Sequence, residues 1–345
     1  MRHFDYTGLK NKKWDNEVIN YLSLIHEYKG KQSLYIQQKS SELERLVEIA
    51  KVQSTEASNS IEGIRTTETR LRQLMSEKTM PRNRDEKEIA GYRDALNIVH
   101  ESFDYIPLTP NYILQLHKIM LSHTDSSFGG SYKNVQNYIS ASDADGKRFT
   151  MFTPLAPYET AEAMQEICEE YNRAVGEGKV DPLLIIPVFI HDFLCIHPFL
   201  DGNGRMSRLL TTLLLYCAGY DIGKYISLEA KIAKTKDAYY SALEDSQIGW
   251  HEQRDDPTAF VKYLLSTIIA AYRDFDIRIQ IVSPTSIDTV KNAIENKIGK
   301  FTKKEILELC PSLSASTVER HLKKLTAEGY ITKHGAGKNT FYAKS

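Results

Sequence analysis

His197-Pro198-Phe199-Leu200-Asp201-Gly202-Asn203-Gly204-Arg205-Met206-Ser207-Arg208 is the stretch around which the chain is organised. A histidine able to accept a proton stands four residues before a carboxylate. A Gly-Asn-Gly turn follows, then two arginines three residues apart. Leu209, Leu210, Leu213, Leu214 and Leu215 continue as an apolar helical pattern, and Gly219 is placed to end it. The turn therefore opens a helix. Backbone N–H groups at a helix N-terminus, cleared of side-chain bulk by glycine, form an anion site. Arg205 and Arg208 fall on one face of that helix, within reach of further phosphate oxygens. Asp201 offers an oxygen ligand of the kind Mg²⁺ takes alongside substrate phosphates. His197 is left to take a proton. The parts point to a nucleoside triphosphate, a metal and a hydroxyl nucleophile. Without the His and the Asp at this spacing, the same turn would read as an ordinary solvated loop.

The twelve residues resemble the Fic family signature, HPFx(D/E)GNGRxxR, at every fixed position. The resemblance implies the Fic (Fido) helical fold and transfer of AMP from ATP to a Ser, Thr or Tyr hydroxyl of a target protein. It implies His197 as general base, Asp201 as the Mg²⁺ ligand, and Phe199 as a buried anchor of the loop. Gly202, Asn203 and Gly204 then cradle the phosphates, and Arg205 and Arg208 hold the outer ones.

A second motif lies upstream. A helical pattern runs from about Ser33 to Ile61, with Leu43, Leu46, Val47 and Ala50 at helical spacing and Gly63 as its stop. Glu62 closes that helix at the end where the macrodipole disfavours negative charge, with Ser58 four residues before it. An exposed Glu at a frayed end costs only a few tenths of a kcal/mol and by itself needs no explanation. Ser58-Asn59-Ser60-Ile61-Glu62-Gly63, however, is similar to the (S/T)xxxE(G/N) inhibitory motif of Fic proteins. There the Glu pairs with the second Arg of the signature, here Arg208, and displaces the γ-phosphate. Its place before the signature implies the subclass with an N-terminal inhibitory helix.

The remaining chain supplies the frame. The first 31 residues predict a helix from about Trp14 to Glu27, stopped near Gly30; residues 65–100 predict further helix broken near Met80-Pro81-Arg82-Asn83; Asn111–Leu121 is amphipathic. Val135–Ser142 and Arg148–Thr153 flank Asp145-Gly146, a hairpin turn signature. An isolated hairpin is marginal in water and must rest on something. In the Fic family a hairpin flap holds this place and presents an edge to the target, so residues 135–153 are the expected docking flap. Residues 158–178 form a helix. Asp181-Pro182 then caps an almost wholly apolar run, Leu183–Ile196, that Pro187 should bend. His191 and Asp192 with His197 tempt a metal reading, but histidines six apart do not share a helical face. A helix from about Leu228 carries Tyr239, Tyr240, Glu244 and Gln247. Related Fic sequences line the adenosine pocket with a Tyr and an Asn seven apart, which match Tyr240 and Gln247 here; Gln for Asn is a departure. Pro257 opens a long final helix.

Val282-Ser283-Pro284-Thr285-Ser286 reads as a linker. Three short helices (286–298, 302–309, 314–328) and strands at Tyr330–Lys333 and Thr340–Ala343, around a Gly335-Ala336-Gly337 turn, are similar to a winged helix-turn-helix module. Residues 300–345 carry a net +5 against −6 for the rest of the chain, a charge suited to phosphate contacts. The plain alternative is a solvated face on a module that docks proteins or dimerises.

The expected protein is mostly α: an N-terminal helical region (1–105), a Fic core with a β-hairpin flap (106–282) and a C-terminal winged-helix domain (285–345). Its cofactors are ATP and Mg²⁺. Its partners are a protein substrate on the flap, DNA or protein on the C-terminal module, and a second copy as homodimer. The alternatives are removal of AMP or transfer of another phosphate-linked group on the same core, and a nucleotide-sensing DNA-binding regulator. With 41% hydrophobic and 26% charged residues, no membrane-length apolar run and no signal-peptide pattern at the N-terminus, a cytoplasmic protein is expected. Cys168, Cys195, Cys217 and Cys310 show no paired or metal spacing and fit a reducing compartment.

Overall fold

The computed structural model describes residues 2–38, 40–77, 79–142, 148–281, 286–295, 297, 299–310, 313–335, 337 and 340–344. It divides into two compact units, Met1–Ile277 and Arg278–Ser345. Helices dominate both. Each unit also carries a two-stranded antiparallel sheet.

The first unit begins with α1 (Asn16–Gln38), α2 (Ser40–Ile61), α3 (Glu68–Met75), α4 (Arg84–Ser102) and α5 (Pro110–Met120). α1 does not stop near Gly30 as the sequence predicts. Tyr28 stacks on Tyr272 and Tyr35 meets Phe275 edge-on, so aromatic packing on both sides of Gly30 outweighs the roughly 1 kcal/mol its helix propensity costs. The pattern predicted from Ser33 to Ile61 is therefore shared between α1 and α2. α2 buries Leu43, Leu46 and Ala50 and ends at Gly63, whose φ of +83° suits glycine. Side-chain caps start the next helices: Thr67 accepts from the N–H of Arg70, Asn83 from that of Glu86, and Thr109 from that of Tyr112.

The hairpin consists of β1 (Ile139–Ser142) and β2 (Arg148–Phe152), shorter than the predicted strands, with an irregularity between Ile139 and Ser140. The predicted Asp145-Gly146 turn lies outside the described residues. α6 (Pro157–Glu177) ends on left-handed Gly178. α7 (Pro182–Ile196) is capped by Asp181, and every residue from Leu183 to Ile196 is buried. α8 (Asn203–Cys217) packs beside it, and α9 (Ile222–Tyr225) follows. The single helix expected from Leu228 is two, α10 (Leu228–Lys234) and α11 (Lys236–Gln247). Thr235 between them has φ −121°; its hydroxyl bonds back to the Lys231 carbonyl and across to Tyr263. α12 (Thr258–Ile281) closes the series. α2 packs on α4, α9 and α10, which places the N-terminal helices in the same unit as α7 and α8.

The second unit holds α13 (Ser286–Glu295), α14 (Lys303–Leu309), α15 (Ala315–Ala327), β3 (Ile331–His334) and β4 (Phe341–Lys344) around Val290, Ile294, Phe301, Ile306, Val318 and Leu322. Thr302 and Glu305 form a capping box on α14. Part of the positive excess is spent internally: Glu319 lies between Lys303, at 3.2 Å, and Lys323, at 3.3 Å. Residues 282–285 of the linker predicted at 282–286, and the centre of the predicted turn, Ala336, lie outside the described residues, while Ser286 opens α13. Among the described residues no helix is long and apolar enough to cross a membrane.

Candidate functional site

The turn between α7 and α8 forms one wall of a cavity of about 510 Å³, within the range of small-molecule sites. His197, Asp201, Gly202, Asn203, Gly204 and Arg208 line it from the signature. Glu62 enters from the end of α2; Tyr239, Tyr240 and Gln247 come from α11; Ile139, Ser140 and Met151 come from the hairpin. Sequence positions more than 180 residues apart thus meet at one site.

His197 ends α7 in the left-handed region (φ 52°), its N–H bonded to the Phe193 carbonyl. Its Nδ1 lies 3.2 Å from the Leu194 carbonyl oxygen. That oxygen can only accept, so Nδ1 carries the proton and Nε2 is the basic nitrogen. Burial lowers the imidazole pKa to about 4. The ring is therefore neutral near pH 7, with Nε2 carrying no proton.

The loop beyond His197 is fixed from behind. Phe199 is fully buried, with its ring stacked on His117 at 3.7 Å. Asn203 closes the turn in both directions: its Oδ1 accepts from the Phe199 N–H and its Nδ2 donates to the Phe199 carbonyl. Gly202 has φ +84°, and a Cβ there would stand 2.5 Å from Met120 Cε. The positive φ calls for glycine, while the Met120 methyl, the end of a flexible side chain, can turn aside. Lys133 and Asn137 bond to further carbonyls of the loop. Lys133 Nζ donates to Ile196 and its backbone N–H to Pro198; Asn137 Nδ2 donates to His197 and Phe199. Burial holds the Lys133 pKa down near 8. His117 Nδ1 accepts from the Gly130 N–H, so its Nε2–H donates to the Asp201 carbonyl at 3.0 Å.

The two arginines diverge. Arg208, only 3% exposed, reaches into the cavity. Its Nη2 donates to Glu62 Oε1 at 2.8 Å and to the Ser58 carbonyl at 2.9 Å, and its Nε to Ser58 Oγ at 2.8 Å. Burial opposes the Arg208 charge, but Glu62, Tyr239 and Tyr92 together outweigh it and the pKa is raised. Arg205 departs from expectation. Its guanidinium is fully buried, sits 2.8 Å from Glu88 of α4, and does not line the cavity. Three residues along a helix differ in direction by only about 60°, so it is the acids they reach, Glu88 on α4 and Glu62 at the end of α2, that separate the two guanidiniums.

Glu62 does more than meet Arg208. A Cβ on Gly204 would stand 2.3 Å from Glu62 Oε1, so the carboxylate lies directly against the first turn of α8. The charge placed unfavourably at the C-terminal end of α2 is thereby placed favourably at the N-terminus of another helix. Asp201 is half-exposed, with Oδ1 accepting from the Gly202 N–H and Arg84 and Arg205 at 3.7 and 3.6 Å. One half-exposed carboxylate at the edge of this cavity fits Mg²⁺, which completes its shell from phosphates and water. His191 and Asp192 do converge with Asp255 rather than with His197, but the Arg2 guanidinium fills that cluster, 2.6 Å from Asp255.

The residues that sequence reading missed are Lys133, Asn137, His117 and Glu88. Each acts on a backbone carbonyl or on a side chain sixty or more residues away, and nothing local marks them.

A family model described as the Fic/DOC family matches residues 107–215. The protein adenylyltransferase Fic of Drosophila grimshawi is 31% identical over 137 residues, 39% of this chain and 26% of that protein. The protein adenylyltransferase fic-1 of Caenorhabditis elegans is 25% identical over 219 residues, 62% of this chain and 38% of that protein. The chain thus spans between a quarter and two fifths of the length of these relatives. The crystal structure of a Fic family protein from Desulfovibrio desulfuricans superposes with a TM-score of 0.65 at 18% identity, covering 97% of both chains. Fic-1 from Caenorhabditis elegans gives 0.61 at 20% identity, covering 80% of this chain and 74% of that one. At these identities the likeness establishes the fold.

Proposed function

We propose, on the premise that this chain carries a Fic/DOC family domain, that it transfers AMP from ATP to a Ser, Thr or Tyr hydroxyl of a protein, and that Glu62 restrains the transfer. The observation that carries this reading is the meeting, in one cavity, of a neutral His197, the glycine-cleared N-terminus of α8, and an Arg208 held by Glu62. The names of the relatives, protein adenylyltransferases, support it.

The target hydroxyl oxygen attacks the α-phosphorus as its proton passes to His197 Nε2. The bond from the α-phosphorus to the bridging oxygen breaks, and pyrophosphate leaves. N–H groups at the start of α8 stabilise charge developing on the phosphate oxygens. Asp201 is the residue to hold Mg²⁺, which would neutralise phosphate charge. Tyr240 and Gln247 flank the nucleoside end of the cavity, and Ser140 on β1 lies where an extended target segment would pass. With Glu62 against Gly204 and Arg208, a γ-phosphate has to displace a carboxylate to reach the same groups, so ATP binds with its α-phosphate out of line. Displacement of a reacting atom by about 1 Å costs on the order of 10²-fold in rate.

Incorporation of AMP from ATP labelled on the α-phosphate, with Mg²⁺, tests the reading by intact mass and by gel, on the chain itself and on added lysate protein. Glu62→Gly should raise transfer about 10²-fold over the parent, and His197→Ala in that background should abolish it while ATP affinity changes only a few-fold. Equal transfer by parent and Glu62→Gly, both folded, would remove the restraint; transfer by His197→Ala would remove the base.

A further inference from the structure

α2 makes three polar contacts along one stripe. Glu62 and Ser58 both engage Arg208, the group for which a nucleotide competes. Ser54, one turn further back, does not touch the cavity lining. It is 2% exposed, and its hydroxyl donates to Glu229 Oε2 at 2.7 Å. Glu229, on α10, is itself only 3% exposed and is held by hydroxyls from four places. Ser227 Oγ lies 3.2 Å from Oε2; Tyr92 of α4 and Thr212 of α8 lie 3.3 and 3.5 Å from Oε1.

A buried carboxyl group is costly unless its partners are in place, and apolar side chains of similar volume would join four helices at least as well. What the acid adds is register. Only one axial position of α2 brings Ser54 to Glu229 while Tyr92 and Thr212 keep their bonds. Two helical turns, about 12 Å, separate Ser54 from Glu62, and an α-helix is rigid over that span. Fixing Ser54 therefore fixes where the Glu62 carboxylate falls on α8.

We propose that Glu229 is a positioning residue for the restraint: through Ser54 it sets the register of α2 and so holds Glu62 on Gly204 and Arg208. This rests on Glu62 being the restraining group. Because Ser54–Glu229 lies outside the nucleotide's reach, ATP cannot compete with it, and it returns α2 to its restraining register whenever the nucleotide leaves.

The test is AMP transfer from labelled ATP by the full chain carrying Ser54→Ala or Glu229→Gln, each alone and combined with Glu62→Gly, with thermal melts of all. Ser54→Ala removes a single buried oxygen and is the variant least able to unfold the chain. Each change should raise transfer roughly three- to thirtyfold in the parent and leave it within about twofold in the Glu62→Gly chain, where there is no carboxylate to position. Residues that merely support the core would lower transfer in both backgrounds, and that result overturns the proposal. So does unchanged transfer by folded Ser54→Ala while Glu62→Gly is activated. If Glu62→Gly alone fails to raise transfer, the restraint itself is refuted, in a chain altered at no other position, and the role of Glu229 falls with it.

Discussion

The loop from His197 to Asn203 and the end of α2 face each other across Arg208, yet they are secured by opposite means. In the loop the backbone is held. The carbonyls of Ile196, His197, Pro198, Phe199 and Asp201 each accept from Lys133, Asn137, Asn203 or His117. At the end of α2 the group that faces the cavity is a side chain: Glu62 is one-third exposed and touches Arg208 through one oxygen. Backbone bonds made from behind are not available to a ligand, whereas a carboxylate in front of Arg208 is open to exchange. On the proposed function, the difference teaches that the reacting groups are built to stay and the restraint is built to be exchanged.

The most severe way to break this comparison is to loosen the loop. Asn137 stands just before β1, donates to two loop carbonyls and accepts from Lys133 Nζ at 2.9 Å. Asn137→Ala leaves both carbonyls without that donor and detaches the root of the hairpin from the base. In the Glu62→Gly background, transfer should fall on the order of 10²-fold, the cost of a displacement near 1 Å. ATP affinity should move only a few-fold, because the α8 N-terminus and Arg208 remain. Steady-state kinetics beside ATP titration decides, and an unaltered rate would mean that the loop holds its shape without this support.

Acid should attack the same side. Burial depresses His117, His191 and His197 to about 4 and His100 to about 3. From pH 6.5 down to about 4 the unfolded chain binds protons at these positions that the folded chain refuses, so stability falls as pH falls through that window. Asp192 works in the opposite direction. Burial raises it to about 6, so between its ordinary value and 6 the folded chain binds the extra proton. Four histidines against one aspartate leave a net loss. Melting temperature should drop steadily from pH 7 to 4.5, and a flat profile would show these rings to be hydrated.

Much of this was legible in sequence wherever the chemistry sits on consecutive residues. The His197–Arg208 signature and the caps at Asp181 and Gly219 needed no tertiary information. Glu62 was visible as a charge at the wrong helix end, because the partner that explains it lies on another helix. The destination of Arg205 was hidden, since helical spacing shows that two arginines can share a face but not which neighbouring helix carries an acid. Lys133, Asn137 and His117 were hidden for a different reason: they bond to carbonyls, which every residue has, so no pairing of residue types betrays them. The continuity of α1 through Gly30 was likewise decided by α12, more than two hundred residues on.

The finest test of the comparison concerns Lys236, on the restraint side. It opens α11, and its ammonium donates to the Ile61 carbonyl at 2.7 Å, the last helical carbonyl of α2 and the neighbour of Glu62. The same ammonium lies 5.7 Å from the ring of Tyr240 on the cavity wall. A cation at a helix C-terminus is worth about 0.3–1 kcal/mol when exposed, as Lys236 is. Lys236→Met keeps the aliphatic stem and removes that charge-assisted bond, so the end of α2 frays without losing Ser54 or Ser58. A loss of that size corresponds to roughly a two- to fivefold rise in transfer by the parent. In the Glu62→Gly chain the same substitution should change nothing, because a frayed end without a carboxylate has nothing to withdraw from Arg208. A comparable rise in both backgrounds would assign Lys236 to the cavity wall through Tyr240 instead of to the restraint.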